Sequence, residues 1–197
     1  MRSDLSSLLQ ERVGHFALES GHHSRLWLDL ELLCRRPEDV RSLAEELAKR
    51  IEPYRPDAVC GPLVEGAFVG LYVAEALDVD FVYAQRAAAP SASDMFSVSY
   101  QLPPAQRHLV EGRRVAVVND VINAGSAVRA TLSDLANYSA QPVVVACLLA
   151  LGDAAHALAA GAGAPLEALE TATNEIWTPG RCPLCANGVP LVPHPGF

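Results

Sequence analysis

A strand-turn-helix segment in the middle of the chain carries the residues best suited to bind an anion. Residues 115–118 are apolar and valine-rich, which predicts a buried parallel strand, and Asn119 and Asp120 follow at its carboxyl end. The small residues of 123–126 (Asn-Ala-Gly-Ser) precede an amphipathic helical run, so backbone N–H groups and the positive end of a helix dipole could bind a phosphate there. Asp120 would face a ribose hydroxyl if the anion were a 5′-phosphate. An ordinary strand-turn-helix with an aspartate cap is the alternative.

This segment is neither a dinucleotide fingerprint nor a P-loop, because it lacks G-x-G-x-x-G and the lysine of G-x-x-x-x-G-K-[ST]. It resembles the phosphoribosyl diphosphate (PRPP) motif of type I phosphoribosyltransferases. Three further segments resemble those of the orotate phosphoribosyltransferase family: Phe16-Ala-Leu-Glu-Ser-Gly-His-His-Ser-Arg-Leu-Trp-Leu-Asp29, Gly61-Pro-Leu-Val-Glu-Gly66 and Phe81-Val-Tyr-Ala-Gln-Arg86. Their order and spacing agree over about residues 13–150, so the chain is identified as a divergent relative of that family.

The resemblance implies an enzyme that transfers the 5-phosphoribosyl group of PRPP to a nucleobase, with orotate as the first candidate, and releases pyrophosphate. It also implies magnesium as the cofactor that accompanies PRPP, a homodimer, and a cytoplasmic role in pyrimidine nucleotide synthesis. The catalytic residues implied are Asp120 and Arg86. The implied binding residues are Asn119, Asp120, Asn123, Ala124, Gly125 and Ser126 for PRPP phosphate and ribose, Gly61, Pro62, Leu63, Val64, Glu65 and Gly66 for the pyrophosphate loop, and His23, Trp27 and Asn123 for the base pocket.

Several positions depart from the family's pattern. Asn119 stands where a second acidic residue is usual, Glu65 where a neutral or basic residue is usual, and His23 where a lysine is usual. The lid region, 86–100, holds one arginine and no lysine, and the strand predicted at 142–149 is not followed by the arginine that holds orotate in the family. The lid is expected to be mobile in the free protein. Two alternatives therefore stay open: a phosphoribosyltransferase for another base, or a PRPP- or nucleotide-binding regulatory or scaffold protein with little or no catalysis.

The carboxyl-terminal tail carries a separate signal. Cys182 and Cys185 have the two-residue spacing of a zinc knuckle. Because one such pair cannot complete a zinc site, further ligands would have to come from His194, Cys147, Cys34 or a second subunit. Reduced free thiols are one alternative to zinc. A disulfide is the other, which the lack of an export signal disfavours.

The composition restricts the class of protein. A chain of 197 residues, half of them apolar, suits one compact domain with a sizeable core. A formal net charge of −8 argues against nucleic acid as a main partner. No apolar run approaches the ~20 residues of a membrane span, and the first residues predict a capped amphipathic helix rather than a signal peptide. We therefore expect neither a nucleic-acid nor a membrane partner.

Strand and helix patterns alternate along the chain, which predicts an α/β fold: a mostly parallel sheet of the type I phosphoribosyltransferase kind, with helices on both faces. A small amino-terminal hood, about residues 13–32, belongs to a domain of residues 1–170, and a Pro/Cys-rich tail follows at 171–197. The carboxyl ends of parallel strands meet at one edge, so the predicted site segments should converge there. The predicted helices are 3–12, 37–51, 66–77, 126–137 and 153–160, and the predicted strands are 15–18, 25–32, 57–60, 80–84, 115–118, 142–149 and 166–170.

Overall fold

The computed structural model describes residues 5–87 and 99–193. Residues 88–98 of the predicted lid and His194, one of the suggested zinc ligands, lie outside the described residues. The α-helices of the described ranges are α1 (Leu5–Leu8), α2 (Pro37–Ile51), α3 (Glu65–Leu77), α4 (Ser126–Ala136), α5 (Ala154–Gly161) and α6 (Pro183–Ala186). The strands are β1 (Gln10–Ala17), β2 (His23–Asp29), β3 (Ala58–Pro62), β4 (Asp80–Arg86), β5 (Tyr100–Gln101), β6 (Arg114–Ile122), β7 (Gln141–Leu151), β8 (Leu166–Ala172) and β9 (Ile176–Trp177). Short 3₁₀ helices occur at Leu30–Arg35, Glu52–Tyr54, Pro104–Leu109 and Pro179–Arg181.

Six strands form the main sheet, in the order β5-β4-β3-β6-β7-β8. All neighbours are parallel except β4 and β5. The alternating side chains of β6 explain why both faces must be covered: Ala116 and Val118 pack with α2 and α3, whereas Val115 and Val117 pack with α4 and α5. The predicted α/β class is confirmed. The helices and strands predicted between residues 37 and 170 are all present, and the strands are longer than predicted.

The hood is a separate antiparallel sheet in the order β1-β2-β9. β1 pairs with β2 from Gln10 opposite Asp29 to Ala17 opposite His23. This pairing shows that the predicted helix at 3–12 is wrong, because α1 ends at Leu8 and the chain then enters β1. A helix of three turns is marginal by itself, and a partner strand supplies the backbone hydrogen bonds that it would otherwise have made.

The tail joins the hood instead of extending away from it. β8 continues to Ala172, past the domain boundary predicted at residue 170, and β9 then pairs with β2. Farther along, Val192 forms a bridge with Phe16 of β1. The two ends of the described chain therefore form one small structure beside the main sheet. None of the helices in the described ranges is both long enough and apolar enough to cross a membrane.

Candidate active site

A cavity of about 700 Å³ lies at the carboxyl ends of β3, β4 and β6, the edge at which a parallel α/β sheet places its ligands. Loops after these strands line it together with hood residues 18–20 and 26–31. The predicted site residues in its lining are Pro62, Leu63, Val64, Glu65, Gly66, Arg86, Asn119, Asp120, Asn123, Ala124, Gly125, Ser126 and Trp27. Gly61 and His23 are absent from that lining. The structure therefore brings together most residues that the sequence placed in one site.

The loop before α4, residues 123–126, has the backbone geometry of an anion-binding site and is called the anion seat below. Gly125 adopts a left-handed conformation with φ of 74°, and α4 begins at the next residue, Ser126. A Cβ atom on Gly125 would lie 2.7 Å from Cδ1 of Leu158, so a larger residue there would strain the backbone and require Leu158 to move. The first N–H groups of a helix have no acceptor within the helix, and those of α4 begin in a segment that lines the cavity.

Asp120 is a buried carboxyl group beside this seat. It is 4% exposed, and its Oδ2 atom has no hydrogen-bond partner among the described residues. Burial raises the pKa of Asp120 to about 7, and the charge of Glu65 adds to the rise, against backbone hydrogen bonds that favour the ionised form. An unpartnered buried carboxyl group is costly, so a hydroxyl group or cation that entered the cavity would be bound favourably.

The neighbouring Asn119 is held by its own strand. Its Nδ2 atom donates a hydrogen bond of 2.8 Å to the carbonyl oxygen of Val121. Its amide oxygen lies against Gly66 and is an uncharged acceptor where the family has a second carboxylate.

Two glycines allow the loop between β3 and α3 to approach β6. A Cβ atom on Gly66 would lie 2.0 Å from Oδ1 of Asn119, and one on Gly61 would lie 2.6 Å from the carbonyl oxygen of Gly66. The backbone N–H of Leu63 donates to the carbonyl oxygen of Ala84, and the Leu63–Val64 peptide bond is cis. Gly61 therefore acts through backbone packing, because it is buried and does not line the cavity.

Acidic side chains outnumber basic ones in the described part of the cavity lining. One basic side chain contributes, Arg86, and it forms an ion pair of 3.1 Å with Glu19 of the hood. The acidic side chains of the lining are Glu19, Asp29, Glu31, Glu65 and Asp120. A polyanionic ligand would therefore meet an unfavourable field unless cations entered with it.

The hood contributes an aromatic side chain, whereas its buried histidine lies elsewhere. Trp27 lines the cavity, and its Nε1 atom donates to Asp29 at 2.8 Å. His23 was expected in the base pocket, but its Nδ1 atom lies 3.0 Å from His15 and 3.3 Å from the Cys185 sulfur. The reason is the position along β2: His23 is at the strand end that pairs with β9 and the tail, whereas Trp27 lies four residues farther along, beside the cavity.

Two further residues were not predicted, one in the cavity lining and one in contact with it. Nδ2 of Asn174 lies 3.0 Å from Oδ1 of Asn123 and 3.3 Å from Oγ of Ser24, so it connects the anion seat with the hood. Tyr100 lines the cavity and donates from its hydroxyl group to the carbonyl oxygen of Leu63. Neither lies in a recognisable motif, because both contacts join residues far apart in the chain.

The sequence model of one protein family, described as "Phosphoribosyl transferase domain", matches residues 33–161 of this chain. The chain is 31% identical over 179 residues to an orotate phosphoribosyltransferase of Desulforamulus reducens, an alignment that covers 91% of this chain and 86% of the relative. An orotate phosphoribosyltransferase of Thermotoga maritima is 29% identical over 90% of this chain and 87% of its own length.

Solved structures show the same fold. An adenine phosphoribosyltransferase of Thermoanaerobacter pseudethanolicus superposes with a TM-score of 0.64 at 19% identity, covering 85% of this chain and 98% of that one. An orotate phosphoribosyltransferase of Mycobacterium tuberculosis gives a TM-score of 0.61 at 19% identity, covering 86% and 95%. At these identities the likeness describes the fold and leaves the base open.

Proposed function

The chain belongs to the phosphoribosyl transferase domain family as a divergent relative of the orotate phosphoribosyltransferases, and from this premise we propose that it joins a nucleobase to the ribose of PRPP. The family makes it a phosphoribosyltransferase. In the proposed reaction a nitrogen of the base forms a bond to the anomeric carbon. The bond from that carbon to pyrophosphate breaks, and pyrophosphate leaves with the electron pair. Orotate is the proposed base, because the curated relatives described above carry it in their names.

The observation that carries this proposal is that Asp120 and the loop before α4 line the same cavity. A buried carboxyl group with an unpartnered Oδ2 atom and a helix start in one cavity offer acceptors for sugar hydroxyls beside donors for a phosphate. The two halves of a 5-phosphoribosyl group need this combination. An aspartate that only capped the helix would have its carboxylate oxygens bonded to backbone N–H groups, whereas Oδ2 of Asp120 has no partner among the described residues and the N-cap residue of α4 is Gly125.

The remaining residues suit the parts of the substrates that react. We assign the 5′-phosphate to residues 123–126 and the ribose hydroxyls to Asp120, with Asn119 as an uncharged acceptor. The loop of residues 62–66 and Arg86 lie where pyrophosphate would leave, and Trp27 offers a flat apolar face for the base. Catalysis in this arrangement rests on positioning and on neutralising the charge of the leaving group.

Magnesium is the cofactor that we propose to accompany PRPP. The carboxylates of Asp120 and Glu65 line the cavity, and the unpartnered oxygen of Asp120 is the kind of hard ligand that this ion prefers. The ion would supply positive charge that the described lining largely lacks. Glu65, which would repel pyrophosphate by itself, becomes favourable when a divalent cation lies between them.

A phosphoribosyltransferase for a base other than orotate is the second candidate. Orotate carries a carboxylate, and the basic group of the described lining, Arg86, is already paired with Glu19. An uncharged base needs no cation and would meet no repulsion from the five acidic side chains of the lining.

The test is an assay of pyrophosphate release from PRPP and Mg²⁺ with orotate, uracil, adenine and hypoxanthine in turn. We expect orotate-dependent release that falls roughly a hundredfold or more in Asp120→Asn. Arg129→Gln is the control, because Arg129 is exposed on α4 and does not line this cavity. Release with another base and not with orotate would establish the second candidate. PRPP binding without release for any base would indicate a binding protein and overturn the proposal.

Two properties of the whole protein belong to the same proposal. We propose a homodimer, supported by a row of exposed apolar side chains on and just before α3, formed by Val64, Phe68 and Leu71. We also propose a cytoplasmic location, since none of the five cysteines is in a disulfide, the state that reducing compartments maintain.

A further inference from the structure

Four side chains that bind transition metals meet between the hood and the tail. They are His15 of β1, His23 of β2, Cys182 immediately before α6, and Cys185 within α6. Their ligand atoms all lie within 4.8 Å of one another. None of the four lines the cavity of the candidate active site, so this cluster is a separate feature of the molecule.

Three separations between ligand atoms in the cluster equal those of ligands around one tetrahedral ion, and the whole set lies within 4.8 Å. A zinc ion with bonds of about 2.0 Å to nitrogen and 2.3 Å to sulfur holds its ligand atoms roughly 3.3–3.8 Å apart. The sulfur of Cys182 lies 3.4 Å from Nε2 of His15, and the sulfur of Cys185 lies 3.3 Å from Nδ1 of His23 and 3.8 Å from Nε2 of His15. The two histidine nitrogens are 3.0 Å apart, a few tenths of an ångström closer than the ion would hold them.

A hydrogen bond outside the cluster orients His15 as a ligand. Its Nδ1 atom lies 2.8 Å from the carbonyl oxygen of Val189. Because a carbonyl oxygen can only accept, Nδ1 carries the proton, and Nε2 of the neutral ring presents its lone pair to the cluster. Histidine ligands of metal sites are held in this way by an acceptor on the opposite ring nitrogen.

From this geometry we propose that His15, His23, Cys182 and Cys185 bind one zinc ion that fastens the tail to the hood. Two thiolates and two imidazoles are a complete structural zinc set and leave no open position for a reacting water. On binding, the two thiols release their protons to solvent and the ion takes the four lone pairs. Cys185 is exposed, whereas the other three ligands are buried. The ion can therefore reach the cluster from solvent on the side of Cys185.

This site differs from the ligand set expected from the sequence. Cys182 and Cys185 were predicted, but Cys147 and Cys34 lie in or beside the hydrophobic core of the main sheet, and His194 lies outside the described residues. The histidines come from strands more than 150 residues earlier in the chain. Pairing of the tail with the hood brings them together, and the sequence alone does not reveal that pairing.

The backbone already holds the tail where the ion would fasten it. The N–H of Ala17 donates to the carbonyl oxygen of Val192, and the N–H of Val192 donates to the carbonyl oxygen of His15. On the other side of the hood, Trp177 of β9 pairs with His23. Asn174, which contacts both Ser24 and Asn123, lies two residues before β9. Zinc would therefore also hold in place the segment that connects the hood with the anion seat.

Metal analysis of the full chain tests the proposal directly. We expect about one zinc ion per chain in protein purified without an affinity tag, and a tetrahedral thiolate-ligated spectrum when cobalt(II) replaces it. The double variant Cys182→Ser/Cys185→Ser should lose the ion and the spectrum. Cys34→Ser and His22→Ala are the matched controls, because they alter a half-buried cysteine and a histidine next to His23 outside the cluster, and both should retain zinc.

A measurement on the unaltered protein avoids reliance on variants that fail to fold. Removal of the ion by a chelator should lower the melting temperature, and zinc should restore it while magnesium should not. Unaltered protein without stoichiometric zinc, a disulfide between Cys182 and Cys185 detected by mass, or a double variant that keeps its zinc would each overturn the proposal. These readouts report metal and stability, so they stand or fall independently of transferase activity.

Discussion

At the scale of single residues, Asp120 is a group whose role in binding opposes its contribution to stability. Its burial at the end of β6 raises its pKa to about 7, from an ordinary value of 3.8. Between these two values the folded protein holds a proton that the unfolded chain has lost. Stability from this group is therefore complete below pH ~4 and declines as the pH rises toward 7. Above that pH the ligand-free protein carries a buried negative charge.

Asp120→Asn should remove the destabilising effect of this buried charge. Asparagine has nearly the same shape and no charge, so we expect the ligand-free variant to be more stable than the unaltered protein at pH 8, by an amount on the order of 1–4 kcal/mol. The difference should shrink toward pH 5. Urea unfolding at a series of pH values measures it. Glu31→Gln is the control, because Glu31 is an exposed carboxylate of the same cavity. Equal pH slopes for the unaltered protein and Asp120→Asn would contradict the prediction.

Residue types with a local signature could be assigned from the sequence, and those with long-range partners could not. Asp120 lies near the end of β6 and residues 123–126 follow that strand directly, and the cavity contains them as expected. The placement of His23 depended on the tail, and the ion pair that occupies Arg86 depended on a hood turn that holds Glu19. Side-chain partners of this kind arise from the register of separate sheets, about which a single sequence says little.

At the scale of elements, the loop before α4 is the part of the site that depends most on backbone conformation. Gly125→Val is a poor test of anion binding, because the positive φ of Gly125 strains a β-branched residue and the new Cβ atom would meet Cδ1 of Leu158. Ser126 is the better position, because it is the first residue of the helix and has ordinary helical backbone.

Ser126→Asp should separate phosphate binding from folding. A carboxylate at the amino-terminal end of α4 stabilises the helix by about 0.3–1 kcal/mol, so the melting temperature should hold or rise. The same charge should weaken PRPP binding about tenfold or more, since like charges ~4 Å apart near a protein surface repel by a few kcal/mol. Calorimetric titration with PRPP and Mg²⁺ measures the effect, with Ser126→Ala as the uncharged control. Unchanged affinity in Ser126→Asp would place the phosphate elsewhere.

Elements with strong periodicity were predicted well for a physical reason. The strands β3, β6 and β7 lie inside the main sheet and are buried on both faces, so their apolar runs are unambiguous. The hood lacks this advantage. Its first strand begins with the charged residues Glu11 and Arg12, and Val13 after them is 72% exposed. Because this half of the strand has no buried face, its sequence shows no strand alternation, and the helix-capping residues before it predicted a helix instead. Two-residue strands such as β5 and β9 leave no periodicity to detect.

At the scale of the whole molecule, the described residues include an exposed apolar surface on and just before α3. Val64, Phe68 and Leu71 lie at spacings of four and three residues, which places them on one side of α3, and they are 54%, 42% and 46% exposed. The opposite side of α3 packs on the sheet through Val69 and Val73. A row of exposed large apolar side chains is typical of a subunit interface. Val64 also lines the cavity, so a partner on this surface would border the active site.

Phe68→Glu should convert the proposed dimer to a monomer. A charge buried at the centre of an apolar interface is costly, whereas an exposed glutamate on a free helix is tolerated, so the variant should fold and dissociate. Light scattering after size-exclusion chromatography should give a mass near twice the 21.0 kDa of one chain for the unaltered protein, and one chain mass for the variant. Val13→Glu is the matched control, because Val13 is an exposed valine on the hood and its change should leave the mass unaltered. If Val13→Glu dissociates the protein and Phe68→Glu does not, the hood is the interface. If the unaltered protein has the mass of one chain, the apolar row on α3 is not a dimer surface.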